Sequence, residues 1–285
     1  MNNFLTSKEI AKAFDNISVN KAKNSSSNLI ILGMLAGVFI AFAGFASQMI
    51  SHTIDNPGLA KFASGAVFPV GLMLVVIAGA ELFTGNNLMI IGVMDKKISF
   101  TELFRNWIIV YISNFIGAIL FAFLISHSGL LDASSGLLGA TVIKAAINKV
   151  SLPFSQCLIR GILCNIMVVL AVWMATAAKD IVGKIFACWF PIMLFVMSGF
   201  EHCIANMYFI PMGIIAKSNA TYITAGQIQA EALTRLNIGG LFGNLIPVTL
   251  GNIIGGAVII GLAYWYVYSH TYTNAIDIKE ETHIS

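Results

Sequence analysis

The sequence predicts an all-α membrane protein: six transmembrane helices in an inverted 3+3 repeat, with helices 2 and 5 broken part-way. Three observations predict it. Of 285 residues, 58% are hydrophobic and 10% charged, with a mean hydropathy of +0.85, whereas soluble globular chains carry about 25% charged residues. Uncharged runs long enough to span hydrocarbon, which takes about 20 apolar residues, occupy 28–51, 62–80, 106–126, 161–178, 185–200 and 236–269. Acidic residues also interrupt this apolar pattern at matching places, in Gly79-Ala80-Glu81-Leu82-Phe83-Thr84-Gly85-Asn86 and in Gly199-Phe200-Glu201-His202-Cys203-Ile204-Ala205-Asn206. A carboxylate at the centre of a membrane helix costs about 2.5–3.5 kcal/mol on insertion scales, so two in register answer a requirement of structure or function.

The first segment, 1–27, reads as an amphipathic helix on the cytoplasmic membrane surface. Thr6 and Glu9 have capping-box spacing, and Ile10, Ala13, Phe14 and Ile17 form one apolar stripe beside Lys8, Lys12, Lys21 and Lys23. It serves as an anchor or as a cover for a cytoplasmic mouth. The first apolar run follows a polar segment and is too long for a signal-peptide core, so it is read as a retained helix. It opens a channel domain over 28–269, and a cytoplasmic tail follows over 270–285.

The second span runs over 62–79 and unwinds over 80–85. It leaves as a short helix through Met94, because the gap before Asp95-Lys96-Lys97 is too small for a further span. The fifth does likewise, from about Ile185 through Gly199 to a second piece near Ala216 that carries Pro211 and Gly213. Irregular backbone at membrane depth must be buried in protein or line a wet cavity, since lipid cannot satisfy its amides. Two long connections, 128–155 and 218–239, are expected to lie over the bundle with short helices at 137–149 and 227–236.

The halves correspond. Phe68-Pro69 matches Phe190-Pro191, Gly79/Glu81/Asn86 match Gly199/Glu201/Asn206, and Asn106/Val110/Asn114/Gly117 match Asn244/Val248/Asn252/Gly255. Three spans per half make the second enter the membrane from the opposite face, which is an inverted repeat. With the N-terminus inside, ten of the sixteen Lys and Arg residues fall on the cytoplasmic side, the excess that the positive-inside rule requires. Both termini are therefore placed in the cytoplasm, and the chain in the inner membrane.

Among candidate site residues, His202 is the one histidine inside a predicted span; its ring can donate, accept or carry a proton near neutrality. A satisfied core histidine is the alternative. Thr84 lies in the first break, where its hydroxyl either faces His202 or caps the outgoing helix. Glu81 and Glu201 are read as structural groups that accept from freed backbone amides or balance charge in the neighbouring half, with an acid–base relay as the alternative. Asn114, Asn165 and Asn252 offer amides to broken backbone or to a permeant, and Asn86 and Asn206 are read as caps. Phe68, Leu72, Leu82, Phe83, Val168 and Phe195 suit narrow apolar constrictions, and Lys149 suits an anion-attracting position at the outer mouth.

Several functions are set aside. Cys157, Cys164, Cys188 and Cys203 lack metal-binding spacing and read as buried thiols, so no metal and no cofactor is expected. Dispersed basic residues without interleaved aromatics argue against nucleic acid. Glu201, His202 and Cys203 are consecutive and cannot share one helix face, so no enzyme is expected.

These motifs, together with Asn244-Leu245-Ile246-Pro247-Val248-Thr249-Leu250-Gly251-Asn252-Ile253-Ile254-Gly255-Gly256, resemble the formate/nitrite transporter family over nearly the whole chain. The resemblance implies an aquaporin-like protomer assembled as a homopentamer in membrane lipid, with one path for a small anion through each subunit. It implies that Thr84 and His202 face each other in a central chamber. Leu82, Phe83 and Val168 would form the cytoplasmic slit, and Phe68, Leu72 and Phe195 the outer one. Asn165 and Asn252 would line the path, and Lys149 would attract anions to the outer vestibule. Formate is the expected substrate, with possible proton coupling through the histidine; nitrite or hydrosulfide is the alternative. A neutral-solute pore is disfavoured, since Asn86-Asn87 and Asn206-Met207 stand where twin Asn-Pro-Ala tips would be.

Overall fold

The computed structural model describes residues 3–270, so the tail and His283 lie outside the described residues. Among the described residues, six helices are long and apolar enough to cross a membrane: Ser26–Ser51 (α2), Pro57–Gly79 (α3), Phe100–Ser126 (α5), Phe154–Ala177 (α7), Ile181–Ser198 (α8) and Ile238–Ser269 (α10). Shorter helices are Ser7–Lys23 (α1), Gly85–Met94 (α4), Leu137–Val150 (α6) and Cys203–Ala216 (α9).

Helix ends follow local chemistry rather than the edge of the apolar runs. α1 opens with a capping box in which Thr6 N–H donates to Glu9 Oε2 at 2.7 Å. α5 begins at Phe100, earlier than the expected 106, because Ser99 and Glu102 form a second box. Arg105 is carried in its first turns and donates to the carbonyls of Ala22 and Asn24 at 3.2 Å. α7 likewise starts at Phe154 rather than 161 and includes Arg160. Charged residues mark depth in the bilayer, whereas helices continue past them into water. The expected helix over 227–236 is only one turn, Ala230–Leu233, entered through Gln227 in the left-handed region at φ 51°.

Two helix pairs are drawn close by glycine. Against α5, a Cβ on Gly37 of α2 would stand 2.1 Å from the Asn114 carbonyl oxygen, and one on Gly117 would stand 2.0 Å from that of Met34. Between α7 and α10, a Cβ on Gly251 would stand 2.2 Å from Leu158 O, and one on Gly255 would stand 2.2 Å from Ile162 O. Lipid gives no hydrophobic drive for association, so van der Waals packing at small residues supplies it.

α3 stops at Gly79 with φ 93°, and Ala80 is fully extended; α8 stops at Gly199 with φ 72°. Both glycines sit in the left-handed conformation that ends helices and penalises a Cβ. The chain stays non-helical over 80–84 and 200–202 before α4 and α9 begin. α1 is seated against one face of the bundle, its Phe14 ring stacked on Trp173 at 5.5 Å. Just ahead of it, Leu5 N–H is bonded to Ala177 O at 2.9 Å.

Candidate functional site

Non-helical backbone at this depth needs partners, and two asparagines supply them. Asn114 of α5 accepts from Phe83 N–H at 3.0 Å and donates to the carbonyls of Gly33 and Glu81 at 2.8 and 2.9 Å. Asn252 of α10 repeats the arrangement, accepting from Cys203 N–H at 2.9 Å and donating to Gly161 O and Glu201 O at 2.8 and 3.0 Å. One carboxamide thus ties each irregular segment to two helices. Both polar ends of Asn252 are committed to main chain, so it shapes the site by holding backbone.

Of the two structural roles expected of the carboxylates, the side-chain contacts match charge balance rather than the holding of main-chain amides. Glu81 pairs with Lys21 of α1 at 2.8 Å and accepts from Asn86 Nδ2 at 2.7 Å; Glu201 pairs with Lys149 of α6 at 3.0 Å and accepts from Asn206 Nδ2 at 2.6 Å. Each asparagine also donates to a second one, Asn86 to Asn106 at 2.8 Å and Asn206 to Asn244 at 2.7 Å. Asn86 and Asn206 are therefore not caps but donors that orient the acids. A buried charge is tolerable when paired and hydrogen-bonded. Here each lysine comes from a helix distant in sequence from the non-helical segment that carries its acid.

Cap chemistry falls instead on the histidine. His202 is the N-cap of α9, its Nδ1 accepting from Ala205 N–H at 3.1 Å, and its Nε2 lies 2.9 Å from Thr84 Oγ1. Accepting at Nδ1 fixes the neutral tautomer with its proton on Nε2. Nε2–H then donates to Thr84 Oγ1, and the threonine hydroxyl keeps its own proton for another acceptor. Thr84 makes no side-chain capping bond to α4. The two side chains are 0% and 3% exposed, and the Phe195 ring lies over the imidazole at 6.0 Å.

Two cavities lie toward opposite ends of α2, one lined by Gln48, Ser51 and His202 and the other by Leu32, Leu82 and Gly85. The first, of about 270 Å³, is lined by Phe68, Phe195 and His202 at its floor and by Lys149, Gln48 and Thr141 above. Phe68 and Phe195 meet edge to face with centroids 5.7 Å apart. The other, of about 650 Å³, opens beside α1 and is lined by Phe14, Ile17, Lys21, Leu72, Leu82 and Lys184 among others. Leu72 thus faces the α1-side cavity, on the other side from Phe68 and Phe195. Phe83 and Val168 are buried and line neither cavity, Phe83 packing on Trp107 and Tyr111. Asn165 spans the middle, donating to Asn252 O at 2.7 Å and to Thr84 O at 3.3 Å, with its Oδ1 unpartnered.

A family profile described as Formate/nitrite transporter matches residues 8–266. The chain belongs to the formate/nitrite transporter family. Among relatives of known description, a probable formate transporter from Methanothermobacter thermautotrophicus is 41% identical over 283 residues, covering 93% of this chain and 97% of that one. The formate channel FocA of Escherichia coli K12 is 39% identical over 264 residues, covering 91% and 93%. A solved pentameric formate channel with formate bound superposes with a TM-score of 0.77 at 35% identity, covering 85% of this chain and 97% of that one. A solved FNT family ion channel gives a TM-score of 0.78 at 27% identity, covering 90% and 98%.

Membership of the formate/nitrite transporter family makes this chain a transport protein rather than an enzyme. Among the polar cavity-lining residues that the sequence does not single out as site residues are Lys21, Lys184 and Gln48. Lys21 was grouped with the basic residues of α1, Lys184 counted only toward orientation, and Gln48 sat unremarked in an apolar run. The signal available for Gln48 was its polarity inside a span.

Proposed function

We propose that this protein is a homopentameric inner-membrane channel for a small monovalent anion, formate foremost, with both termini in the cytoplasm and a path through each protomer past Thr84 and His202. Supporting formate and the pentamer are relatives described as formate transporters or channels and a solved pentameric neighbour with formate bound. The single observation that carries the path is the Thr84–His202 contact at 2.9 Å, with one cavity touching His202 and another touching Leu82 and Gly85 on either side of Thr84. The matched roles of Asn114 and Asn252, and of the Glu81 and Glu201 clusters, support an inverted repeat whose broken helices meet there. Orientation rests on the basic excess of the α1 face.

In this reading an anion sheds water at Phe68 and Phe195 or at Leu72 and Leu82, where a bare charge is most costly. It is met by the Thr84 hydroxyl proton, a donor held in place before it arrives by the His202 Nε2–H that donates to Thr84 Oγ1. Proton coupling makes a further demand. A neutral imidazole that yields its Nε2 proton must gain one at Nδ1, and Ala205 N–H occupies that nitrogen. Relay through His202 therefore requires the capping bond to open.

The test is flux into proteoliposomes of purified protein for formate, nitrite, hydrosulfide and water across pH. Formate is expected to cross fastest, with water no faster than through lipid alone. His202→Asn keeps a capping oxygen but loses the reach to Thr84, and is expected to cut formate flux by about tenfold, the equivalent of about 1.4 kcal/mol. It is also expected to flatten the pH dependence. Formate flux no faster than through protein-free liposomes contradicts the proposal.

A further inference from the structure

The cavity on the Lys149 face contains a donor that the protein leaves unused. Gln48 lines it, is 5% exposed, and has its Nε2 buried without a partner. The orientation of the amide is set from behind, where the fully buried Tyr208 donates its hydroxyl to Gln48 Oε1 at 3.1 Å. With the amide reversed, the phenol would accept and its own proton would lose its acceptor; an enclosed hydroxyl does not leave that unmet. Oxygen therefore stays on Tyr208, and the NH₂ group stays free. Gly44, one turn earlier on α2, permits this. A Cβ there would stand 2.8 Å from Tyr208 Cδ1, so the ring lies against the helix.

Other polar groups of the cavity are already engaged. Ser47 and Ser51 donate to Gly44 O and Ser47 O at 2.7 Å, and Ser64 donates to Ser47 O at 3.1 Å. Lys149 is paired with Glu201 and lies 5.2 Å over the Phe209 ring. The ammonium keeps donors and a share of its charge, and the uncommitted neutral donor beside it is Gln48 Nε2. A buried donor without a partner is costly, and one lining a cavity that holds a cation points to an anionic visitor.

We propose that Gln48 is a binding and specificity-determining residue for small carboxylates and oxyanions on the Lys149 side. Its Nε2–H donates to an oxygen of the anion, and Lys149 supplies the charge. The inference rests on the anion path proposed above and adds a waiting position before the Phe68–Phe195 rings. An anion with oxygen acceptors gains from this donor, whereas hydrosulfide offers only sulfur, a weak acceptor.

The experiment reconstitutes the full chain, Gln48→Leu and Tyr208→Phe, and measures half-saturating concentrations and maximal fluxes for formate and hydrosulfide. In Gln48→Leu the half-saturating formate concentration is expected to rise about tenfold or more, the weight of one hydrogen bond to a charged acceptor. Maximal formate flux and hydrosulfide half-saturation stay as in the parent. Tyr208→Phe, which releases the amide without removing it, is expected to show a smaller rise in the same direction and to decide the matter if Gln48→Leu does not assemble. An unchanged formate value, or equal rises for both anions, overturns the proposal. A parent protein that carries no formate removes the path itself and this proposal with it; a formate-carrying parent matched by its variants removes only the role of Gln48.

Discussion

Asn114 and Asn252 each satisfy one main-chain N–H and two carbonyls at points where helix geometry has ended. Replacing Asn252 by alanine strands all three groups in a buried site, where each orphan costs about 1–3 kcal/mol. Asn252→Ala is therefore expected to destabilise the fold by about 3 kcal/mol or more, read as a lower melting temperature of the purified assembly; an unchanged melting point contradicts the tethering role. Lys21 invites a milder version. Removing one member of a buried ion pair costs about 3–5 kcal/mol, and the Lys21 side chain keeps 25% of its surface exposed. Lys21→Met is expected near the lower end, about 3 kcal/mol, because partial exposure screens the pair. Melting measured beside a Lys21→Met/Glu81→Gln double variant checks this, the double recovering part of the loss.

At the scale of elements, α1 is held by charge as well as by packing. Its Asp15 carboxyl is raised to about 6, first by burial and then by the neighbouring Asp95 charge, against Lys97 and Lys12, which lower it. An acid whose folded pKa is raised holds its proton more tightly when docked than when free. The stabilisation is complete below the ordinary value of 3.8 and lost as pH rises through about 6. Amide exchange in α1, corrected for intrinsic rate, is expected to be slower at pH 5 than at pH 7, and Asp15→Asn to abolish the difference. Persistence of that difference in the variant contradicts the assignment. Between α7 and α10 the constraint is steric: a Cβ on Gly251 meets the Leu158 carbonyl oxygen at 2.2 Å. Overpacking of a tight contact costs about 1–3 kcal/mol, so Gly251→Ala is expected to lower the yield of monodisperse assembly in size-exclusion chromatography.

For the molecule as a whole, most of the architecture was legible because lipid constrains composition so strongly. The six spans, the capping box of Thr6 and Glu9, and the 137–150 helix follow from apolar run length and cap residues. The contact of Thr84 with His202 was legible because two polar residues inside apolar runs need a partner there. What stayed hidden depends on partners distant in sequence. Lys21 reaches Glu81 across 60 residues and Lys149 reaches Glu201 across 52, so charge balance was open to the acids but the lysines that supply it carried no local mark. Asn86 and Asn206 looked like caps for the same reason, while His202 took the cap of α9 through its Nδ1. Phe83 and Val168 were apolar and well spaced, yet spacing does not say which face of a buried element meets a cavity. In the proposed function anions pass the hydrogen-bonded Thr84 and His202. This passage is tested most directly by formate flux through Thr84→Val, which keeps side-chain volume and removes the hydroxyl. The account predicts an assembled protein whose formate flux is severely reduced; flux equal to the parent's would contradict it.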